Sequence, residues 1–221
     1  MQKKNFSHIF FDLDGTLVDS AGEITEAINL MCQQFHLEFV SKNEISRLVG
    51  KGFPNTVKQV LLSRVKHKAD HYFDKALTIA LSAYQDNLGS KSILYDGVLQ
   101  TLKFIKKLGI TMSVVTNKEK KCALKILETL KIKPFFNLVI GAGCTKYYKP
   151  HPQPLKVAMD ITHAIINSSL MVGDSENDFL CAKKVGVKCV LVSYGYRESS
   201  KLEELHPFAL IKNFEDLKEL I

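Results

Sequence analysis

Short apolar runs alternate with amphipathic stretches along most of the chain, and this pattern predicts strands separated by helices. The first run, "HIFFD" at residues 8–12, is short, unbroken and soon followed by Gly15, as is typical of a buried strand. Because the later apolar runs are also continuous, we expect a parallel sheet with helices on both faces. These later strands are "ITMSVVTN", "FNLVIGA", "SLMVGD" and "VKCVLVS", and the helices are "VLQTLKFIKKLG", "KEKKCALKILETLKI", "LKVAMDITHAI" and "SENDFLCAKKVG".

A long helical segment interrupts this alternation directly after the first strand. "EITEAINLMCQQF" places its apolar residues on one helix face, and three more amphipathic stretches follow at residues 42–49, 55–65 and 69–88. We therefore predict an α/β protein whose Rossmann-like parallel-sheet core, residues 1–17 and 91–221, carries an inserted all-helical segment at residues 18–90. The C-terminal "HPFALIKNFEDLKELI" predicts a last short strand and helix that close the core.

The composition is that of an ordinary soluble protein. Apolar residues make up 46% and charged residues 24% of 221 residues. No apolar run approaches the roughly 20 residues that span a bilayer, and the N-terminus shows no small-residue cleavage site. Five scattered cysteines without CxxC pairs indicate reduced thiols. We expect a cytoplasmic location and no membrane partner.

The net charge of +7 does not indicate a nucleic-acid partner. The lysines are spread along the whole chain, with neither zinc-finger spacing nor interleaved aromatic residues. A basic balance also suits a small anionic substrate, which it attracts through long-range electrostatics. We expect a small phosphorylated metabolite as partner, and a monomer or weak homodimer.

Polar residues follow four of the predicted strands, at the edge of a parallel sheet where ligands bind. They are Asp12 and Asp14, Thr116 and Asn117, Lys149, and Asp174 with Asp178. Converging carboxylates repel each other unless a cation lies among them. Oxygen ligands without His or Cys favour a hard ion, and Mg²⁺ is the default beside phosphate. Hydroxyl, amide and ammonium donors suit the oxygens of a phosphoryl group.

This residue set can carry out phosphoryl transfer, although each member also has a structural interpretation. A carboxylate beside the metal can attack phosphorus, and a second can protonate the leaving oxygen and then activate water. An aspartate after a strand is also a common turn or cap residue. Thr116 and Asn117 could cap the next helix, and Lys149 could be a surface lysine. The ordered combination at four strand ends favours the chemical interpretation.

These residues resemble the motifs of the haloacid dehalogenase superfamily of phosphohydrolases. "DLDGTLVDS" is similar to the DxDGT first motif, Thr116 to the second, Lys149 in "YYKPHP" to the third and "GDSENDF" to the acidic fourth. The inserted helices resemble the four-helix cap of that superfamily. We therefore refer to residues 18–90 as the cap.

The resemblance implies a role for each residue of the set. Asp12 would be the nucleophile and Asp14 the general acid and base. Thr116 would bind a phosphoryl oxygen with Asn117 nearby, and Lys149 would pair with Asp12 and the transferring phosphate. An aspartate at position 14 favours phosphoryl transfer over carbon–halogen cleavage, which needs no acid for the leaving group.

The resemblance also implies a metal site. Mg²⁺ would be held by the Asp12 carboxylate, the Asp14 main-chain carbonyl and Asp174. Asp178 would contribute directly or through a water.

The substrate depends on the cap, where "LVGKGFPNTV" interrupts two helical stretches. This segment is either an ordinary turn or a lid that offers Lys51 and backbone amides to a second anionic group. It resembles the phosphoglycolate phosphatase branch of the superfamily, which implies 2-phosphoglycolate as substrate. The alternatives are a pyrophosphatase or nucleotidase, a sugar phosphomutase, and a catalytically silent regulatory protein. The intact set of Asp12, Asp14, Thr116, Lys149 and Asp174 disfavours the silent protein.

Overall fold

The computed structural model describes residues 6–221, which form two sheets flanked by helices. The strands are β1 (His8–Phe11), β2 (Val18–Asp19), β3 (Ile93–Leu94), β4 (Thr111–Glu119), β5 (Leu138–Ala142), β6 (Ser169–Gly173), β7 (Lys188–Val192) and β8 (Ala209–Ile211). The α-helices are α1 (Ala21–Gln34), α2 (Lys42–Leu48), α3 (Phe53–Val65), α4 (Ala69–Asp86), α5 (Val98–Lys107), α6 (Lys120–Thr129), α7 (Gln153–Thr162), α8 (Glu176–Val185) and α9 (Ser199–Glu203).

Six strands form one parallel sheet in the order β5-β4-β1-β6-β7-β8. β1 lies inside this sheet, between β4 and β6, and all four of its residues are buried. Burial on both faces explains why its sequence is an unbroken apolar run. The predicted Rossmann-like α/β core is confirmed.

Alternate side chains of β1 pack on opposite faces of this sheet, as strand geometry requires. Ile9 and Phe11 belong to the hydrophobic cluster shared with α5, α6 and the C-terminal 3-10 helix Phe214–Glu219. Phe10 belongs to the cluster on the other face, with α7 and α8. Leu13, just beyond the strand, is fully buried in the first cluster and so leaves its two aspartate neighbours to face the sheet edge.

The helices α1 to α4 bury a hydrophobic cluster of their own, which includes Ile28 and Leu61. A short antiparallel ribbon of β2 and β3 lies where the chain enters and leaves this bundle, with Val18 opposite Leu94. The sequence pattern did not indicate this ribbon. It lies across the predicted limit of the cap, and Val18 packs in the core cluster; the division at residues 18 and 90 stays a prediction.

The end of β4 differs from the prediction. The strand runs to Glu119 and α6 begins at Lys120, so Lys118 lies in the strand and not in the helix as predicted. The pairing of β4 with β5 shifts register between Val115 and Glu119. Thr116 and Asn117 therefore do not cap α6, whose N-cap position is Glu119 and has no side-chain cap.

The structure also bears on the predictions for membrane-spanning segments and for the cysteines. None of the helices within residues 6–221 combines the length and apolarity that crossing a bilayer requires. All five cysteines carry free thiols, as predicted, and four of them are buried. A cytoplasmic location stays a prediction.

Candidate active site

Asp12 lies at the carboxyl end of β1 with one carboxylate oxygen fixed and the other free. Its N–H donates to the Val172 carbonyl at 2.9 Å, which continues the sheet by one residue. Its Oδ1 accepts a hydrogen bond from the Leu13 N–H at 2.7 Å and lies 2.9 Å from Lys149 Nζ. Oδ2 receives no hydrogen bond from residues 6–221. This second oxygen is thus available to attack an electrophile.

Asp174 and Asp178 join Asp12 in a buried acidic cluster. One carboxylate oxygen of each residue lies within 4.8 Å of those of the other two. Burial and the neighbouring carboxylates raise the pKa of Asp12 to about 6, against the opposing effect of Lys149. Burial, Asp178 and Asp12 raise the pKa of Asp174 well above its ordinary value. The cluster is therefore short of positive charge.

Lys149 is the ammonium that contacts this cluster. Its side chain is 1% exposed, and Nζ lies 2.9 Å from Asp12 Oδ1 and 2.6 Å from Asp178 Oδ1. Nζ also donates to the Val115 carbonyl at 2.7 Å. Burial lowers the pKa of Lys149, but Asp12 and Asp178 raise it by more, so the group stays protonated. The alternative of a surface lysine is wrong.

The donor set of this cluster fits a divalent cation with a preference for oxygen ligands. In the described part of the chain three buried carboxylates face the Lys149 ammonium, and neither His nor Cys is among the clustered groups. Asp178 is the most constrained of the three, because Oδ2 accepts from Ser175 Oγ at 2.7 Å and Oδ1 from Lys149. Asp174 Oδ2 accepts from the Tyr196 N–H at 2.9 Å. The chemistry of these donors matches Mg²⁺.

Gly15 makes the turn that brings the Asp14 segment close to Asp174. Its φ is +84°, and a Cβ built there would lie 2.3 Å from Asp174 Oδ2. Both the backbone conformation and the lack of space therefore require glycine. The DxDG spacing thus places Asp12 and the main chain of Asp14 close to Asp174.

The Asp14 side chain is held by two donors. Ser20 Oγ donates to its Oδ1 at 2.5 Å, and Lys118 Nζ lies 3.0 Å from each of its oxygens. Ser20 stands at the start of α1, so the first cap helix takes part in positioning Asp14.

Lys118 is the main site residue that sequence reasoning missed. Its side chain is 6% exposed, and its Nζ lies 5.2 Å from the centre of the Tyr84 ring of the cap. Burial lowers the pKa of Lys118, but Asp14 and Tyr84 raise it by more, so it is an ammonium. The sequence could have indicated Lys118, because it follows Thr116 by two positions and alternate residues of a strand share a face.

Thr116 and Asn117 differ in what they leave free for a ligand. Thr116 is buried at the cavity wall, and its Oγ1 accepts from the Lys118 N–H at 3.2 Å. Asn117 Nδ2 donates to the carbonyls of Gly50 and Lys149, at 2.8 Å each, and its Oδ1 accepts from the Lys149 N–H at 2.9 Å. The Asn117 side chain thus uses its hydrogen bonds to join the main chain of Lys149 to the cap at Gly50.

The cap covers this sheet edge and encloses a cavity of about 590 Å³. Asp12, Asp14, Thr116 and Lys118 line its core side, and exposed Lys51 lies on the cap side. Gly50 and Gly52 both have positive φ, so the predicted interruption between α2 and α3 is a real turn. Apolar side chains form much of the wall, namely Ile24, Phe53, Leu81, Tyr84 and Cys122.

Core residues hold this turn in place through its carbonyl groups. Arg197 Nη2 donates to the Val49 carbonyl at 2.5 Å, and its Nη1 lies 3.3 Å from the carbonyls of Ser46 and Arg47. These are the exposed carbonyls at the end of α2, which a cation stabilises. Asn177 Nδ2 adds a hydrogen bond to the Gly50 carbonyl at 3.3 Å. The cap turn is therefore held closed over the site.

Comparison with known proteins finds relatives that share one named activity. The phosphoglycolate phosphatase of Pseudomonas syringae pv. syringae (strain B728a) is 34% identical over 215 residues, which are 96% of this chain and 78% of that protein. The phosphoglycolate phosphatase of Colwellia psychrerythraea is 34% identical over 95% of this chain and 94% of its own length.

The fold comparison agrees. The crystal structure of a predicted phosphoglycolate phosphatase from Haemophilus somnus 129pt superposes with a TM-score of 0.91, at 29% identity, and covers 99% of both chains. Residues 9–192 match the family described as haloacid dehalogenase-like hydrolase. This range contains the acidic cluster and Lys149 as well as the whole cap. The chain therefore belongs to the haloacid dehalogenase-like hydrolases, as the resemblance of its motifs predicted.

Proposed function

We propose that the protein is a Mg²⁺-dependent phosphatase that hydrolyses a small phosphate monoester through an aspartyl-phosphate intermediate. The observation that carries this proposal is the Oδ2 of Asp12, which is free of protein hydrogen bonds within residues 6–221, beside a buried acidic cluster that the Lys149 ammonium contacts. 2-Phosphoglycolate is the substrate we favour, because relatives that match 95–96% of this chain carry that activity in their names. Thr116 and Lys149 would bind phosphoryl oxygens.

The first step is attack by Asp12 Oδ2 on phosphorus, with departure of the alcohol oxygen. Lys149 holds the other oxygen of Asp12 and so orients the attacking one. When bound at Asp12, Asp174 and the Asp14 carbonyl, Mg²⁺ would supply positive charge for the phosphoryl oxygens. Both Asp178 oxygens accept hydrogen bonds from the protein, which favours contact with the cation through a water.

Asp14 would move the proton in both steps. In the first it gives a proton to the departing alcohol oxygen, and in the second it takes one from the water that attacks the aspartyl phosphate. Ser20 and Lys118 fix its carboxyl group so that it faces the cavity. The closed cap limits access of bulk water during this sequence and favours a small substrate.

A panel assay with purified protein tests this function. With Mg²⁺ we expect hydrolysis of 2-phosphoglycolate and of p-nitrophenyl phosphate, and with excess EDTA we expect both to fall at least about a hundredfold. Mg²⁺ should also raise the melting temperature, because it binds the folded acidic cluster and not the unfolded chain.

Asp174→Asn is the matched control for the metal effect. It should lose both the activation and the thermal shift by Mg²⁺, since it removes one carboxylate of the cluster. Full activity in EDTA would contradict the proposed metal dependence. Faster turnover of pyrophosphate or a nucleoside monophosphate than of 2-phosphoglycolate would replace the favoured substrate, and conversion to an isomeric phosphate ester would indicate a phosphomutase.

Arg197 should control how firmly the cap turn is held. Arg197→Gln removes the guanidinium from the carbonyl groups at the end of α2. We expect faster amide hydrogen exchange in residues 46–52 and a KM for 2-phosphoglycolate several-fold higher, because hydrogen bonds from a charged donor are each worth roughly 1.5–3 kcal/mol. The measurements are hydrogen-exchange mass spectrometry and steady-state kinetics.

Arg64→Gln is the control for this prediction. Arg64 also donates to main-chain carbonyls, those of Glu38 and Phe39, and it pairs with Glu44 in the first turn of α2, so its contacts lie outside residues 46–52. It should therefore leave exchange in residues 46–52 near that of the wild type. Unchanged exchange in the Arg197 variant would mean that Arg197 does not hold the turn.

A further inference from the structure

Lys118 is a buried cation on the side of the cavity where the leaving group must lie. Its contact with Asp14, at 3.0 Å to each oxygen, places it next to the group that would protonate the departing alcohol. An ammonium has three N–H donors; the two Asp14 oxygens account for two of them, and the Tyr84 hydroxyl is the competing acceptor for the third. Lys118 also lines the cavity, so it can contact a ligand there.

The geometry brings one kind of leaving group within reach of Lys118. An ester oxygen hydrogen-bonded to Asp14 lies about 2.7–3.0 Å from that carboxyl, and Lys118 Nζ lies 3.0 Å from the same carboxyl. A carboxylate attached one carbon away from the ester oxygen can then reach hydrogen-bond distance of Nζ. A neutral alcohol has no charged group that could form an ion pair with the Lys118 ammonium.

The cavity wall next to Lys118 is apolar, so an anionic leaving group that binds there needs a cation as its partner. The Tyr84 ring lies beside Lys118, and Phe53 stacks on Tyr84, so a carboxylate placed there loses much of its water. A buried charge without a partner is costly, and a charge-assisted hydrogen bond offsets that cost.

The two other lysines near the substrate are less suited to this task. Lys149 already contacts Asp12 and Asp178 on the phosphoryl side. Lys51 is exposed to solvent, where ion pairs contribute little.

We propose that Lys118 is a specificity-determining residue: it binds an anionic group next to the ester oxygen and thereby selects phosphate esters of 2-hydroxy acids over those of neutral alcohols. This inference rests on the proposed phosphatase function. It assigns to Lys118, at the end of β4, the recognition that the sequence had suggested for Lys51.

The test compares two substrates that differ in one charge, 2-phosphoglycolate and its amide, 2-phosphoglycolamide. For the wild type we expect kcat/KM at least tenfold higher for the acid than for the amide. Lys118→Met should bring this ratio close to one. Lys118→Gln should do the same, and because its amide can still donate to Asp14 it separates loss of charge from misplacement of Asp14. Lys51→Met should keep most of the wild-type ratio.

Several outcomes would overturn the inference. A wild-type ratio near one would do so, as would equal losses on both substrates in the Met and Gln variants, which would reduce Lys118 to a support for Asp14. Collapse of the ratio in the Lys51 variant alone would return the role to Lys51. These results differ from failure of the proposed function, in which the wild type hydrolyses neither substrate nor p-nitrophenyl phosphate.

Discussion

Asp12→Asn is expected to lower the hydrolysis of every phosphate ester at least about a thousandfold, as loss of a nucleophile does in other covalent mechanisms. An amide oxygen is a poor nucleophile, and the variant cannot form the aspartyl phosphate. The fold should persist, because the Asp12 main chain keeps its hydrogen bond to Val172 and Leu13 stays buried. The measurements are steady-state rates with p-nitrophenyl phosphate and circular dichroism. Activity close to that of the wild type would remove the covalent mechanism.

The same variant should be more stable than the wild type when metal is absent. The pKa of Asp12 is raised from 3.8 to about 6, chiefly by burial, so the folded state holds this proton more tightly than the unfolded state does. The stability that this group contributes is therefore complete below about pH 4 and is lost as the pH rises through about 6. Asparagine cannot ionise, so it avoids this loss.

Thermal denaturation in EDTA at two pH values measures this effect. The melting temperature of Asp12→Asn should exceed that of the wild type at pH 7.5, and the difference should shrink at pH 4. Asp160→Asn, at an exposed position of α7, is the control that should show no such change. A variant that melts below the wild type at pH 7.5 would mean that the Asp12–Lys149 contact outweighs the cost of burying the carboxylate.

The sequence located the acidic cluster because its position follows from topology. Strands β1, β4 and β6 are neighbours in a parallel sheet, so the residues after them meet at one edge. The period of two in an extended chain explains why Asp12 and Asp14 share a side while Leu13 is buried in the core. Neither inference needed a side-chain contact from a distant part of the chain.

Lys118 and Arg197 were missed because their roles come from contacts that local patterns do not encode. The run "KEKK" has the composition of an exposed helix start, yet Lys118 lies in β4 and its Nζ contacts Asp14, which lies 104 residues earlier. Arg197 acts on the end of α2, 148 residues away at Val49. Asn117 was expected near the substrate and does line the cavity, but the sequence did not indicate that its side chain bonds to Gly50 and Lys149.

Lys149→Met is expected to destabilise the protein and to abolish hydrolysis. It removes the ammonium that contacts Asp12 and Asp178, and leaves two buried carboxylates without it. Removing one partner of a buried ion pair costs roughly 3–5 kcal/mol, because the other charge stays behind. Urea denaturation in EDTA measures the free energy of unfolding, and steady-state assays with Mg²⁺ measure the activity.

A second substitution separates the two effects of Lys149. In Lys149→Met/Asp178→Asn one buried negative charge is removed together with the positive one, so much of the lost free energy of unfolding should return. The amide oxygen that Asp178→Asn introduces could still accept the hydrogen bond from Ser175 that Asp178 receives at the start of α8. Activity should not return, because Asp12 then lacks the ammonium that orients it. If the double variant were as unstable as the single one, the contact with Val115 and the packing of the lysine stem, rather than charge balance, would be what Lys149 contributes to stability.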